Sequence, residues 1–124
     1  MKSNLLEDRI IKFAARCVKV CGVLPVRKVG SSSLADQLFR SATSVAANYA
    51  EGCQSESRKD FVHKLKIAVK ELYEARTWLK IVAESEYVTK SRMADVIQES
   101  EELAAILGAS ITTARKNMVT PTLA

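Results

Sequence analysis

Residues 41–79 read SATSVAANYAEGCQSESRKDFVHKLKIAVKELYEARTWL, and this stretch decides the fold. Phe61, Leu65, Ala68, Leu72, Ala75 and Leu79, with Val82 just beyond, recur at alternating spacings of four and three. At about 100° of rotation per residue, that alternation keeps all seven on one side of a helix. The spacing predicts a long helix with an unbroken apolar seam, packed nearly parallel to its neighbours. Ser57 stands before it and Asp60 follows three residues later, the pattern of a capping box. Upstream, Leu34, Leu38, Ala42, Val45, Tyr49 and Gly52 form the seam of a second helix. Gly52 is placed to close that helix as a left-handed terminal residue.

The flanking sequence continues the pattern in both directions. Asn4, with Glu7 three residues on, is suited to start a first helix whose seam is Leu6, Ile10, Phe13, Cys17, Val20 and Leu24. Gly22 and Pro25 end it. Ile11, Ala14, Ala15 and Val18 add apolar residues on an adjoining face, which points to contact with another subunit. A short basic loop follows, and Ser31, Ser32 and Ser33 offer the next cap, with Asp36 matched to the positive helix start. Beyond the third helix, which fades between Glu84 and Tyr87, Thr89 or Ser91 caps a fourth. Its seam is Met93, Val96, Ile97, Leu103, Leu107, Ile111 and Ala114. Helices over residues 5–22, 32–52, 58–85 and 90–117, with a frayed tail over 118–124 containing Pro121, predict an all-α protein. The short joints make it an up-down-up-down antiparallel four-helix bundle, one domain over residues 1–124.

Composition agrees with that architecture and excludes several function classes. Nearly half of the 124 residues are hydrophobic (48%), while aromatic residues make up 6% and glycine and proline are scarce. Such usage favours helix over a turn-rich β fold. Charged residues interrupt every apolar run before it reaches the ~20 residues of a membrane span. The first residues, MKSNLLEDRIIKFAAR, lack the pattern of a signal peptide, so a cytoplasmic location is expected. The odd set Cys17, Cys21 and Cys53 argues against a disulfide framework and suits core-filling thiols. With His63 as the sole histidine, neither a metal site nor the di-iron motif of some bundles can be assembled. Phosphate-binding glycine loops, CxxC and GxSxG are also missing. The expectation is a protein that is not an enzyme, with no cofactor and no metal.

Charge is distributed unevenly. The first thirty residues hold seven basic groups against Glu7 and Asp8, a surplus equal to the entire net charge of +5. The remainder balances, twelve against twelve. Arg9, Lys12, Arg16 and Lys19 are spaced three, four and three apart, so they project as one stripe, and Arg27 and Lys28 continue it into the loop. The acidic neighbours stop at Asp8, so Arg16 and Lys19 have no i,i+4 acid within their own helix. A uniform basic stripe suits phosphate contacts with RNA or DNA, unless acids of another helix pair with it. Lys66 and Lys70 flank Tyr73 on the third helix, with Glu71 and Glu74 read as offsetting them. On the second helix, Ser41, Ser44, Asn48 and Glu51 form a polar line, read as a hydrogen-bonded device that fixes helix or subunit contacts rather than as a binding surface.

Together the second and third helices resemble a known family, the bacterial four-helix-bundle proteins encoded by intervening sequences in 23S rRNA genes. Gln37, Leu38, Arg40, Ser41 and Ala42 match that family's opening pattern, with Phe39 where a second arginine is common. Ser44, Asn48, Glu51 and Gly52 match its core motif. Ser57, Lys59, Asp60 and Phe61 match the joint, and Leu65, Ile67, Ala68, Leu72 and Glu74 match the helix that follows. The resemblance extends over about residues 5–117, with the specific motifs confined to 37–79. It implies an up-down bundle assembled into a ring-like homopentamer, with structural rather than catalytic roles for Ser41, Ser44, Asn48, Glu51 and Gly52. It also implies kinship with the accessory variability protein of diversity-generating retroelements, a basic pentamer that binds a reverse transcriptase and nucleic acid.

The sequence thus leads to an oligomeric, non-enzymatic bundle that binds nucleic acid through Arg9, Lys12, Arg16, Lys19, Arg27 and Lys28. The rival expectation is a protein–protein adaptor or scaffold, for example for a reverse transcriptase. Ile11 and Val18 on the first helix and Val62 and Val69 on the third would supply its apolar contact surface. An enzyme would require a metal or a polar pocket around Glu51 and His63.

Overall fold

A computed structural model describes residues 4–119 of the chain. Four helices follow one another: α1 (Leu5–Val23), α2 (Ser31–Cys53), α3 (Arg58–Glu84) and α4 (Lys90–Val119). Each boundary lies within two residues of the expected one. The fourth helix passes through Met118, where fraying was expected, while Pro121 and the rest of the tail lie outside the described residues, as does Lys2. None of the described helices is long and apolar enough to cross a membrane.

Local chemistry explains most of the helix ends. The Asn4 side-chain oxygen accepts the Glu7 backbone N–H at 2.9 Å, and Ser57 Oγ accepts that of Asp60 at 3.1 Å. Both satisfy an amide that the helix itself leaves unpaired. Thr89 rather than Ser91 caps α4, its hydroxyl facing the Arg92 amide at 3.4 Å. Pro25 holds Leu24 in an extended conformation (φ −63°, ψ 137°), which stops α1.

Two expected caps are placed differently. The serines do not cap α2: Gly30 is its N-cap, with φ 76°, and makes no side-chain hydrogen bond there. Ser31 is instead the first helical residue and is buried. Gly52 is not a left-handed terminus but a buried helical residue in the last turn of α2. Its role is steric. A Cβ at Gly52 would meet Leu65 Cδ1 at 3.1 Å and Lys64 Cβ at 3.2 Å, so its bare backbone lets α2 approach α3.

The helices run antiparallel, each packed on its successor, and α1 touches α4 only lightly. Ile10, Phe13 and Cys17 of α1, Leu38, Ala42 and Val45 of α2, Leu65 to Val82 along the α3 seam, and Met93, Leu103 and Leu107 of α4 share one core. Val62, expected on the surface, is buried as well, at the start of α3. At one end of the bundle the Tyr87 hydroxyl donates to the Val29 carbonyl at 2.7 Å, joining the α3–α4 loop to the α1–α2 loop. At the opposite end Arg58 donates to the Asn117 carbonyl at 3.3 Å, and Asn4 reaches Cys53 and Tyr49.

The close approach at Gly52 sets up a contrast with Gly108, where an added Cβ meets nothing within 4 Å. Gly108→Ala should raise the unfolding free energy by about 0.5–1 kcal/mol through helix propensity alone. Gly52→Ala should lower it by about 1 kcal/mol, because overpacking against Leu65 and Lys64 exceeds the same propensity gain. Urea denaturation of the two variants beside the parent chain measures both. Equal stabilisation by the two alanines would show that Gly52 is not held by packing.

Candidate nucleic-acid interface

The basic stripe of α1 divides into two parts. Arg9 is committed to α4: its Nε lies 2.7 Å from Glu99 Oε2, and its Nη2 lies 2.8 Å from both Glu99 Oε1 and Glu102 Oε1. The guanidinium fork suits such a bidentate pair. These bonds hold the Arg9 pKa above its usual range, and they hold the Glu99 carboxyl below its usual range against the opposing effect of burial. Arg9, placed by the sequence in the basic stripe, is thus a cross-helix tie whose acids lie 90 and 93 residues away, beyond the reach of same-helix pairing. Arg16 is half-buried and adds to the field that favours the Glu99 carboxylate. Lys12 and Lys19 are exposed on α1, and Arg27 and Lys28 are exposed in the loop. Among the described residues none of these last five forms an ion pair.

The side chains of the polar line on α2 make hydrogen bonds that stay mostly inside the helix. The Ser41 hydroxyl donates to the Gln37 carbonyl at 2.9 Å, and Asn48 Nδ2 donates to the Ser44 carbonyl and hydroxyl at 2.9 and 3.0 Å. Only Glu51 crosses to α3, accepting from Lys64 Nζ at 2.6 Å. Three of the four side chains thus satisfy themselves locally, and one links helices.

On α3 the acids behave differently from the sequence reading. Glu71 and Glu74 do not offset Lys66 and Lys70, because Arg40 of α2 takes both, with Nη1 3.1 Å from Glu71 and Nη2 bonded to Glu74. Trp78 Nε1 also donates to Glu74 at 3.3 Å. Glu74 is held below the usual carboxylate range, first by the Arg40 hydrogen bond. The exposed positions of α3 from His63 to Lys80 are His63, Lys66, Lys70, Tyr73, Thr77 and Lys80, with no carboxylate among them. Each lies two residues before a buried seam residue: Leu65, Ala68, Leu72, Ala75, Leu79 and Val82. Two residues rotate about 200° around a helix, so this line points almost directly away from the core. That offset was present in the sequence, and the apparent neutralisation by Glu71 and Glu74 hid its meaning.

The remaining reactive side chains have structural surroundings. Cys17 is fully buried, and desolvation pushes its thiol up to about 12, out of the range where it would be nucleophilic. Cys21 donates to the Ala35 carbonyl at 3.4 Å and is also raised by burial. His63 is exposed on α3, and the Glu51 carboxylate is engaged by Lys64. Among the described residues no group of three His, Cys, Asp or Glu side chains could hold a metal ion.

Comparison with known proteins places this bundle among relatives. The family described as 23S rRNA-intervening sequence protein matches residues 5–109. A crystal structure from Bacteroides thetaiotaomicron VPI-5482, of a protein with unknown function from the S23 ribosomal protein family, has a TM-score of 0.80 to this chain. The two are 34% identical, and the match covers 86% of this chain and 98% of that one. A comparison with curated proteins gives no match.

The Arg9–Glu99 tie has a pH signature. Folding holds Glu99 below the ordinary value of 4.5, so its contribution is complete above that value and disappears as pH falls through Glu99's own lower one. Wild type should therefore exceed Glu99→Gln in unfolding free energy near neutral pH, and the gap should close progressively below 4.5. Denaturation curves for both proteins from neutral to acid pH read this directly. A gap unchanged by acid would remove the electrostatic account of the contact.

Proposed function

The chain belongs to the 23S rRNA-intervening sequence protein family, and from that footing we propose that it is a cytoplasmic, non-enzymatic, self-associating bundle that binds nucleic acid through its backbone phosphates. One observation carries the reading: after cross-helix pairing has absorbed Arg9, Arg40 and Lys64, a set of cations is left outside the ion pairs of the described residues, with Arg16 alone among them in the field of Glu99. Lys12, Arg16 and Lys19 on α1 and Arg27 and Lys28 behind it form the part nearest the chain start. Lys12 and Lys19 stand seven residues apart, about 10 Å along the helix, a span that several phosphates of a strand can match.

Self-association strengthens the proposal through repetition. A ring of five chains would carry about +25, so even modest sites would act together and steer a polyanion from solution. Phosphate contacts of this kind are largely blind to base sequence and sensitive to salt.

A second reading rests on apolar exposure beside the same lysines. Leu5, Ile11 and Val18 on α1 and Phe39 on α2 are all exposed, surface that suits either a second copy of the chain or a different protein. A protein partner held by these residues would stay bound at high salt, where a polyanion would leave.

Fluorescence anisotropy with labelled RNA and DNA oligonucleotides tests the main reading. If the five cations each neutralise a phosphate, raising salt from about 50 to about 200 mM should weaken binding by about 10²–10³-fold. Lys12→Glu combined with Lys19→Glu should weaken binding on every sequence tried and flatten the salt dependence. Absence of any anisotropy change in dilute buffer would sink the proposal.

A further inference from the structure

We propose that the outward face of α3 is a second nucleic-acid track, separate from α1, built to hold a single strand with Tyr73 as its stacking platform. This rests on the reading that the partner is nucleic acid and adds a surface, a strand form and a specific contact to it.

Charge complementarity supplies the first support. Lys66, Lys70 and Lys80 share one exposed line with His63, and from His63 to Lys80 no carboxylate interrupts it. From Lys66 to Lys80 the line runs about 21 Å, long enough to follow a strand over several nucleotides. The acids that neighbour it, Glu71 and Glu74, face Arg40 on the α2 side, so they do not cancel the lysines. Like-charged residues at i and i+4, such as Lys66 and Lys70, repel in an isolated helix. Their presence on an exposed face is a cost that a bound polyanion would relieve.

The second support is aromatic. Tyr73 lies in the middle of the lysines, 48% exposed, with the Arg76 guanidinium carbon 4.8 Å from its ring centroid. A tyrosine stacked with an arginine offers a flat, cationic surface of the kind on which unpaired bases stack. In a duplex those base faces are already covered. The combination of a phosphate line and an exposed ring therefore selects a single strand. An anionic membrane is a poorer fit, since beside Tyr73 the exposed part of α3 offers Ile81, at the end of the line, as its one large apolar side chain to enter the bilayer interface.

The third support is position. α1 packs chiefly on α2, and α3 lies on the far side of α2 with α4 as its other neighbour. The outward faces of α1 and α3 thus lie on opposite sides of the bundle, and one bundle would present two tracks.

Anisotropy with labelled single-stranded RNA and DNA oligonucleotides, each compared with its duplex, separates the possibilities. Tyr73→Ala should weaken single-strand binding by about five- to a hundredfold and leave duplex binding nearly unchanged. Tyr73→Phe, which keeps the ring, should restore it. Lys66→Glu with Lys70→Glu should weaken the same binding by at least about tenfold. Unfolding curves confirm that each variant is folded, as expected for exposed positions. If the α3 variants bind single strands as tightly as wild type while Lys12→Glu/Lys19→Glu does not, the α3 track is wrong and the α1 reading stands. Preference of wild type for an acidic peptide or for anionic vesicles, lost in Lys66→Glu/Lys70→Glu, would assign this face to another occupant. If wild type binds no oligonucleotide at all, both readings fall together.

Discussion

The bundle depends on the packing of one helix between two others. Along α3 the fully buried positions Leu65, Ala68, Leu72, Ala75 and Leu79 alternate large and small. Alternating large and small residues let facing layers interdigitate and reach close packing. Burying a leucine contributes about 1.5–3 kcal/mol, so this seam is a major part of what holds the fold. Gly52 extends the same logic to the α2–α3 joint, where even one methyl group would press on Leu65 and Lys64 more closely than ordinary contact. α1, by contrast, leans mainly on α2 and is tied to α4 through Arg9.

Electrostatics matters here less for stability than for sorting charge. Exposed ion pairs contribute little each. Yet Arg9 with Glu99 and Glu102, Arg40 with Glu71 and Glu74, and Lys64 with Glu51 hold five carboxylates at helix–helix contacts with three cations. A chain that is only mildly basic overall thereby gains two faces that are strongly so. The carboxylates are drawn toward the helix–helix flanks, and the lysines keep the outward positions.

Much of the architecture was legible because periodicity is a strong signal. Every α3 seam position from Leu65 to Val82 is buried as its spacing predicts, Val62 and Ala83 join them, and all four helices end within two residues of the expected bounds. Local misreadings concerned residues with two physical uses. Gly52 fits a helix terminus by its conformational freedom and a tight crossing by its size, and spacing alone does not separate them. Ser31 to Ser33 are good caps in isolation, but Gly30 with its positive φ takes that position and turns Ser31 inward. For the candidate interface, the α1 stripe is visible in the sequence but not the fate of Arg9, whose partners are about ninety residues away. The α3 lysines look offset because Glu71 and Glu74 are close in sequence, whereas Arg40 decides where those carboxylates point. Same-helix charge arithmetic works only until another helix brings its own cations.

The two-residue offset between the buried and exposed lines of α3 also limits how this protein could tolerate insertions and deletions. Adding or removing one residue inside α3 would turn everything beyond it by about 100°. Leucines would swing out of the core while lysines swung toward it, so the hydrophobic seam and the charged face would be lost in one event. Length variation in such a chain belongs in its joints, between residues 24 and 30, 54 and 57, or 85 and 89, where no helical phase is carried forward.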